Sequence, residues 1–250
     1  MRLKDKVAIV TGGSQGIGEA ICYAYAREGA VVIVVNKNHP ELGKQVAEKI
    51  KKSGGRAEAM QCDVADEQSV QALIDAVIKK YQRVDILVNN AAIAKFKLFE
   101  EHTLDDWDHI MDVNLKGPFL MSRAVVPSMK KQHSGKIIFI ASIAASQGFG
   151  LLSAYSASKG GLLALAKPMA LELSRHGINV NCISPGSVDT PQTKPFITDP
   201  EFLKKISERT ATGVPMQPEH LGEAAVFLAS DGASAVHGVN LPVDNAWGIF

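Results

Sequence analysis

The sequence predicts an α/β protein built on a doubly wound parallel sheet of about seven strands with helices on both faces. Three observations carry this. Short apolar runs rich in β-branched residues recur along the chain, longer amphipathic stretches alternate with them, and a glycine-rich turn joins the first run to the first stretch. Runs apolar at every position suit strands buried on both faces, and alternation with helices is the pattern of parallel sheets with crossover connections.

The first run, VAIV at 7–10, has no polar position, and the turn TGGSQGIG at 11–18 opens a helix expected over 18–28. VVIVV at 31–35 gives a second buried strand, followed by a helix over 41–53 and a third strand over 57–61. A helix over 67–81, a short strand at 86–88 and a long helical stretch over 104–129 come next. The strand at 136–141 precedes a helix over 153–176, in which Pro168 removes a backbone donor and is expected to kink the axis. A strand at 179–183, a helix over 219–230 and a last strand at 238–243 complete the series. With no linker or internal repeat, residues 1–250 read as one domain. The segment 187–213 differs, holding three prolines and one short amphipathic piece at 200–209. A long, weakly structured insertion of this kind is expected to be a substrate lid.

Composition narrows the function. Twenty-seven basic and 26 acidic residues leave a formal charge of +1, which gives no electrostatic case for nucleic acid or an anionic membrane as partner. The three cysteines, Cys22, Cys62 and Cys182, are far apart and form no CxxC, which suits reduced thiols in the cytoplasm. The seven histidines include no HExxH, so no metal is expected. No apolar run approaches the ~20 residues of a transmembrane helix, and the run at 7–10 is too short for a signal-peptide core.

In the glycine turn, Gly12 is expected to allow a sharp bend, Gly16 a close approach of backbone to a pyrophosphate, and Gly18 close packing of helix on strand. The helix start then offers unpaired amides and partial positive charge to an anion. Further along, Tyr155 and Lys159 lie four residues apart in a helical stretch, so they share a face. A cation beside a phenol favours the phenolate and lowers its pKa. Ser142 follows an apolar strand and suits either a cap or a hydrogen-bond donor, and Asn114 is an amide inside a helical stretch that must find partners.

Together these motifs resemble those of the short-chain dehydrogenase/reductase (SDR) family, which implies a Rossmann fold. The spacing GxxxGxG at Gly12, Gly16 and Gly18 matches the family's loop, so Ser14, Gln15 and Ile17 are implied to touch the cofactor as well. Asp63, followed by Val64, resembles the adenine-contacting acid, and Asn90 and Ala91 belong to an Asn-Asn-Ala segment of the same family. Asn114, Ser142, Tyr155 and Lys159 match its catalytic tetrad. The resemblance implies that Lys159 also holds the nicotinamide ribose and that Asn114 anchors a proton-relay water. Pro185, Gly186, Val188 and Thr190 resemble the stretch that binds the carboxamide. Ala92 stands where that family commonly has glycine, and Val243-Asp-Asn-Ala-Trp247 replaces a common Val-Asp-Gly-Gly.

At the end of the second strand, Asn36 replaces the acid that would repel a 2′-phosphate, and Lys37 adds a cation. The pair leans toward NADP(H), while Gln15, where NADP-preferring relatives often have a basic residue, keeps NAD(H) open. The loops at 94–99, 143–152 and 191–202 should face the substrate. Phe96, Phe149, Leu152 and Phe196 make them apolar, and Ser142 and Gln147 are expected to orient a polar atom. The expected reaction is hydride exchange with a secondary alcohol or ketone that is neutral and cyclic, partly hydrophobic or a polyol. A 3-oxoacyl carrier-protein reductase, for which Lys95 and Lys97 would meet an acidic carrier, and a noncatalytic nucleotide-binding regulator are the alternatives. The resemblance implies a homotetramer or homodimer, with Trp247 and Phe250 as candidate interface anchors.

Overall fold

A computed structural model describes residues 1–249, and Phe250 lies outside the described residues. Seven parallel strands form one sheet in the order β3-β2-β1-β4-β5-β6-β7. The strands are β1 (Val7–Thr11), β2 (Val31–Asn36), β3 (Arg56–Gln61), β4 (Ile86–Asn89), β5 (Gly135–Ile140), β6 (Ile178–Pro185) and β7 (Asn240–Val243). The first six recur where the apolar runs predict them, each within one to two residues, and β7 begins two residues late. Every residue of β1, β4 and β6 is buried, because helices cover both faces there. β3 is an edge strand and only Ala57 in it is buried, so its AEAMQ sequence, the most polar of the predicted runs, tracks its position.

The helices α1 (Gly16–Arg27), α2 (Pro40–Lys52) and α3 (Glu67–Tyr81) occupy their expected places. One face of the sheet packs on α1, α2 and the late helix α9 (Pro218–Ala229), through Ile21, Tyr25, Val46, Leu221 and Val226. The other face packs on α3, α5 (Gly117–Gln132) and α6 (Ser153–Ser174), through Ile74, Met121, Val125 and Leu162. Strand order reverses between β1 and β4, the switch point at which an open α/β sheet leaves a crevice for ligand.

Two departures from the sequence reading bear on the site. The stretch expected as one helix over 104–129 is α4 (Leu104–Met111), a π-helical segment Asp112–Lys116, and α5. A π turn widens the helix by one residue, which hydrophobic periodicity cannot register, and here it carries Asn114. α6 runs past Pro168 to Ser174, close to the extent expected, with Ala170 and Leu173 buried beyond the proline. The segment 187–213 contains two helices, α7 (Lys194–Ile197) and α8 (Pro200–Arg209). Ile197 and Ile206 anchor these in a small separate core with Ile143 and Trp247. No helix of the described residues is long and apolar enough to cross a membrane.

Candidate active site

The ends of β1 and β4 are tied together by side chains that a cofactor would meet. Asn90 Nδ2 donates to the carbonyls of Thr11 at 2.9 Å and Gly12 at 3.1 Å, while Thr11 Oγ1 accepts from the amides of Asn90 and Ala91. Gly12 and Gly16 adopt φ of 62° and 56°, left-handed values that favour glycine. A Cβ on Gly18 would lie 2.2 Å from the Gly12 carbonyl oxygen, so only glycine lets α1 approach the loop this closely. The N-cap of α1, Gln15, makes no side-chain capping bond, which leaves the first-turn amides for an anion. These features fit the pyrophosphate of a dinucleotide. Gly12, Ser14, Gln15, Gly16 and Ile17 line a cleft there with Asn90 and Ala91, and Pro185, Gly186, Val188 and Thr190 close its other side. Gly18 lies beneath, buried.

An adjoining cavity at the end of β2 suits the adenosine half, and Asn36, Lys37, Asp63 and Val64 line it. Asn36 is 7% exposed, and its amide donates to the carbonyls of Asn38 and His39. It therefore folds the loop before α2 and offers no acceptor pair to a ribose. Lys37 Nζ sits 2.6 Å from Asp63 Oδ2. Burial pushes the Asp63 carboxyl up, but Lys37 and the Ala65 amide outweigh it and hold the group below its usual range. Lys37 is thus directed along this cavity by an acid two residues past the end of β3, a pairing invisible in the sequence spacing.

Tyr155 and Lys159, one turn apart on α6, meet Ser142 at the end of β5, and all three line the cleft. Ser142 Oγ accepts from the Ala144 amide at 3.1 Å, capping the 3-10 turn Ile143–Ala145 and leaving its own hydrogen free to donate. The structure thus shows the cap, which is compatible with the donor role expected of this hydroxyl. Burial pushes the Tyr155 phenol above its ordinary value, and the Ser142 hydroxyl only partly opposes this. The expectation that Lys159 lowers this phenol is therefore not met by the protein alone. Lys159 Nζ donates to the Ile140 carbonyl at 2.7 Å, and burial pushes its own pKa down to about 8. Asn114 is fully buried. It accepts from the Ile93 amide and donates to the Ile93 carbonyl at 2.8 Å and to Ser158 Oγ at 3.1 Å. Its side chain clamps the chain after β4 to α6, and a relay through the side chain is limited to what one remaining lone pair can hold.

A third cavity of about 570 Å³ opens from the cleft, with Ser142 and Tyr155 shared between the two. Its size is that of a pocket for a small organic ligand. Phe96, Phe149, Leu152 and Phe196 line it as expected, and the rings of Phe96 and Phe196 lie 4.2 Å apart. Gln147 is not among its lining residues and instead approaches Gly248, although Gly148 to Leu152 line the cavity. Lys95 and Lys97 share the single carboxylate of Asp106 on α4, at 2.6 Å for Lys97, which leaves this pair a net positive charge. Four further lining residues escaped the sequence reading: Ser187, Lys205, Arg209 and Trp247. The spacing of Phe202, Lys205 and Arg209, which puts all three on one face of α8, is the signal that would have found two of them.

Comparison with known proteins agrees with this geometry. The family described as short chain dehydrogenase matches residues 6–201. The chain is 37% identical over 246 residues to cyclopentanol dehydrogenase of Comamonas sp. (strain NCIMB 9872), covering 98% of each. It is 40% identical over 250 residues to D-threitol dehydrogenase of Mycolicibacterium smegmatis, covering 99% of this chain and 95% of that one. Among solved structures, a proposed NAD(P)-dependent gluconate 5-dehydrogenase from Beutenbergia cavernae, with NADP bound at low occupancy, superposes with a TM-score of 0.95. That protein is 38% identical, and the match covers 99% of this chain and 98% of the other.

Proposed function

The chain belongs to the short-chain dehydrogenase/reductase family, and from that premise we propose that it exchanges a hydride between NADP(H) and a secondary alcohol or ketone. The observation that carries the reading is the common wall: Ser142 and Tyr155 border both the cleft behind the glycine loop and the apolar cavity. Residues 1–250 would act as one catalytic domain, with 187–213 as the lid over the substrate. The related enzymes named above act on a cyclic alcohol and a polyol, and a third is assigned to a sugar acid, so fold alone leaves the substrate class open.

In the reductive direction the Tyr155 hydroxyl donates its proton to the oxygen of the former carbonyl, and Ser142 donates a hydrogen bond to the same oxygen. In the oxidative direction the phenolate takes that proton back. Hydride donation or acceptance is the chemistry that a bound nicotinamide supplies. Lys159 is the residue to hold the ribose hydroxyls, and its ammonium, 5.6 Å from the centre of the Tyr155 ring, would favour the phenolate together with the positive charge that an oxidised nicotinamide brings, against the burial that raises the phenol. The Asn114 clamp on Ile93 and Ser158 fixes the α6 turn that carries both groups.

The Lys159 ammonium is present below about 8 and lost above it. The kcat/KM for reduction is therefore expected to fall as pH rises through about 8, roughly two units before a free phenol near 10 would titrate. A profile measured from pH 6 to 10.5 that stays flat to 10 would remove Lys159 from the mechanism.

Cofactor choice is tested by rates with NAD(H) and NADP(H) at equal concentration, over a panel of cyclic ketones, polyols and acyl thioesters. NADP(H) is expected to be preferred by about tenfold, and Lys37→Glu to reverse the order by placing a carboxylate where a 2′-phosphate would sit. A tenfold preference for NAD(H) in the unaltered protein would overturn the role given to Asn36 and Lys37, and absence of turnover with firm cofactor binding would favour a regulator.

A further inference from the structure

We infer that the substrate carries a carboxylate and that Lys205 and Arg209, on the lid helix α8, are the residues that select it; the inference rests on the dehydrogenase reading above. Both line the same cavity as Ser142 and Tyr155, whose remaining wall is largely apolar, and no Asp or Glu lines it. Spaced by four, the two cations share one face of α8. That helix is held against the cavity by Ile206, which is fully buried, and by Phe202, whose ring lies 6.2 Å from that of Phe196.

The neighbouring cations show the difference. Lys194 lies 3.5 Å from Asp189, and Lys204 lies 3.9 Å from Glu208, one turn along the outer face of α8. Among the described residues Lys205 and Arg209 make no such pair. Arg209 is instead fixed over the ring of Trp247 at 5.7 Å, and Trp247 in turn stacks on Phe149 at 5.8 Å. The recess thus carries two cations and no carboxylate. A neutral ketone would satisfy Ser142 and Tyr155 and give Lys205 and Arg209 no counter-charge, whereas a carboxylate supplies two acceptor oxygens and the opposite charge. Both cations are exposed at the rim of the cavity, so added salt screens that attraction and makes it measurable as a salt dependence. The neutral substrate expected from the loop sequences followed from their aromatic residues alone, without α8.

The test pairs 4-oxocyclohexanecarboxylate with its methyl ester, which match in ring and carbonyl and differ in charge. Unaltered protein is expected to show kcat/KM about tenfold higher for the acid, with a KM that rises with added NaCl for the acid and not for the ester. In Lys205→Gln/Arg209→Gln the ratio should fall toward one and the salt dependence should vanish, while Lys205→Arg/Arg209→Lys should keep both. Calorimetric binding of each probe is measured in parallel on the same proteins. An ester used as well as the acid, or a preference that survives the double glutamine substitution, would overturn the inference. If neither ketone turns over with either cofactor, the dehydrogenase reading fails by itself. Calorimetry then still decides the site: charge-dependent binding of the acid supports it, and equal or absent binding of both probes sinks it.

Discussion

Tyr155→Phe is expected to lower kcat by about 10²- to 10⁴-fold while leaving the dissociation constant for the cofactor within about twofold. The phenolic oxygen is the one titratable hydroxyl that borders both the cleft and the substrate cavity. Lys159 cannot replace it, since its ammonium is bound to the Ile140 carbonyl and faces the cleft, not the cavity. Ser142 can still polarise a carbonyl, which sets a floor of residual activity, but it cannot give up a proton at neutral pH. Removing one oxygen from a ring that stays in place opens no void, so the glycine loop, Asn90 and the β6 end should be undisturbed. Single-turnover rates report the chemical step, and quenching of protein fluorescence reports cofactor affinity. A loss below tenfold would mean that another group delivers the proton.

How far the sequence could be read depended on whether a residue's role was local. The strands at 7–10, 31–35 and 86–88 announced themselves because burial on both faces demands uninterrupted apolar side chains. Gly12 and Gly16 were legible because positive φ is a backbone demand that few other residues meet, and the structure gives both that conformation. Tyr155 and Lys159 were legible as one helix face. What stayed hidden depends on partners distant in the chain. Lys37 is aimed by Asp63, 26 positions on, and Asn114 spends its amide on Ile93, 21 positions back. Neither pairing leaves a mark on spacing. The direction of the Gln147 side chain was hidden likewise, since a position between Ser142 and Tyr155 in sequence does not show that it lies against Gly248, 101 positions on. Lys205 and Arg209 were visible as an amphipathic segment, but the face of α8 that meets the cavity is set by Ile206 seating against Ile143 and Trp247.

Gly18→Ala sets two local effects against each other, and their sizes decide the outcome. Gly18 lies in the first turn of α1, where helix propensity alone would make alanine better by up to about 1 kcal/mol. The added Cβ, however, would sit 2.2 Å from the Gly12 carbonyl oxygen and 2.5 Å from Asn90 Nδ2. Normal contact requires a shift of about 1 Å, and neither neighbour is the loose end of a flexible chain. The carbonyl belongs to a turn held at φ of 62°, and Asn90 is bound to both Thr11 and Gly12. Overpacking of this kind costs about 1–3 kcal/mol, and lost Asn90 bonds add to it, so the clash outweighs propensity. The melting temperature is expected to fall by roughly 3–12 °C, and cofactor affinity by about 5- to 100-fold as the loop and the α1 amides separate. Gly150→Ala is the control, because its Cβ would meet nothing within 4 Å, and it should move the melting temperature by less than about 2 °C. If Gly18→Ala melts no lower than Gly150→Ala and binds cofactor as the unaltered protein does, α1 does not rest on the loop as closely as this geometry requires, and the pyrophosphate site drawn from it fails with it.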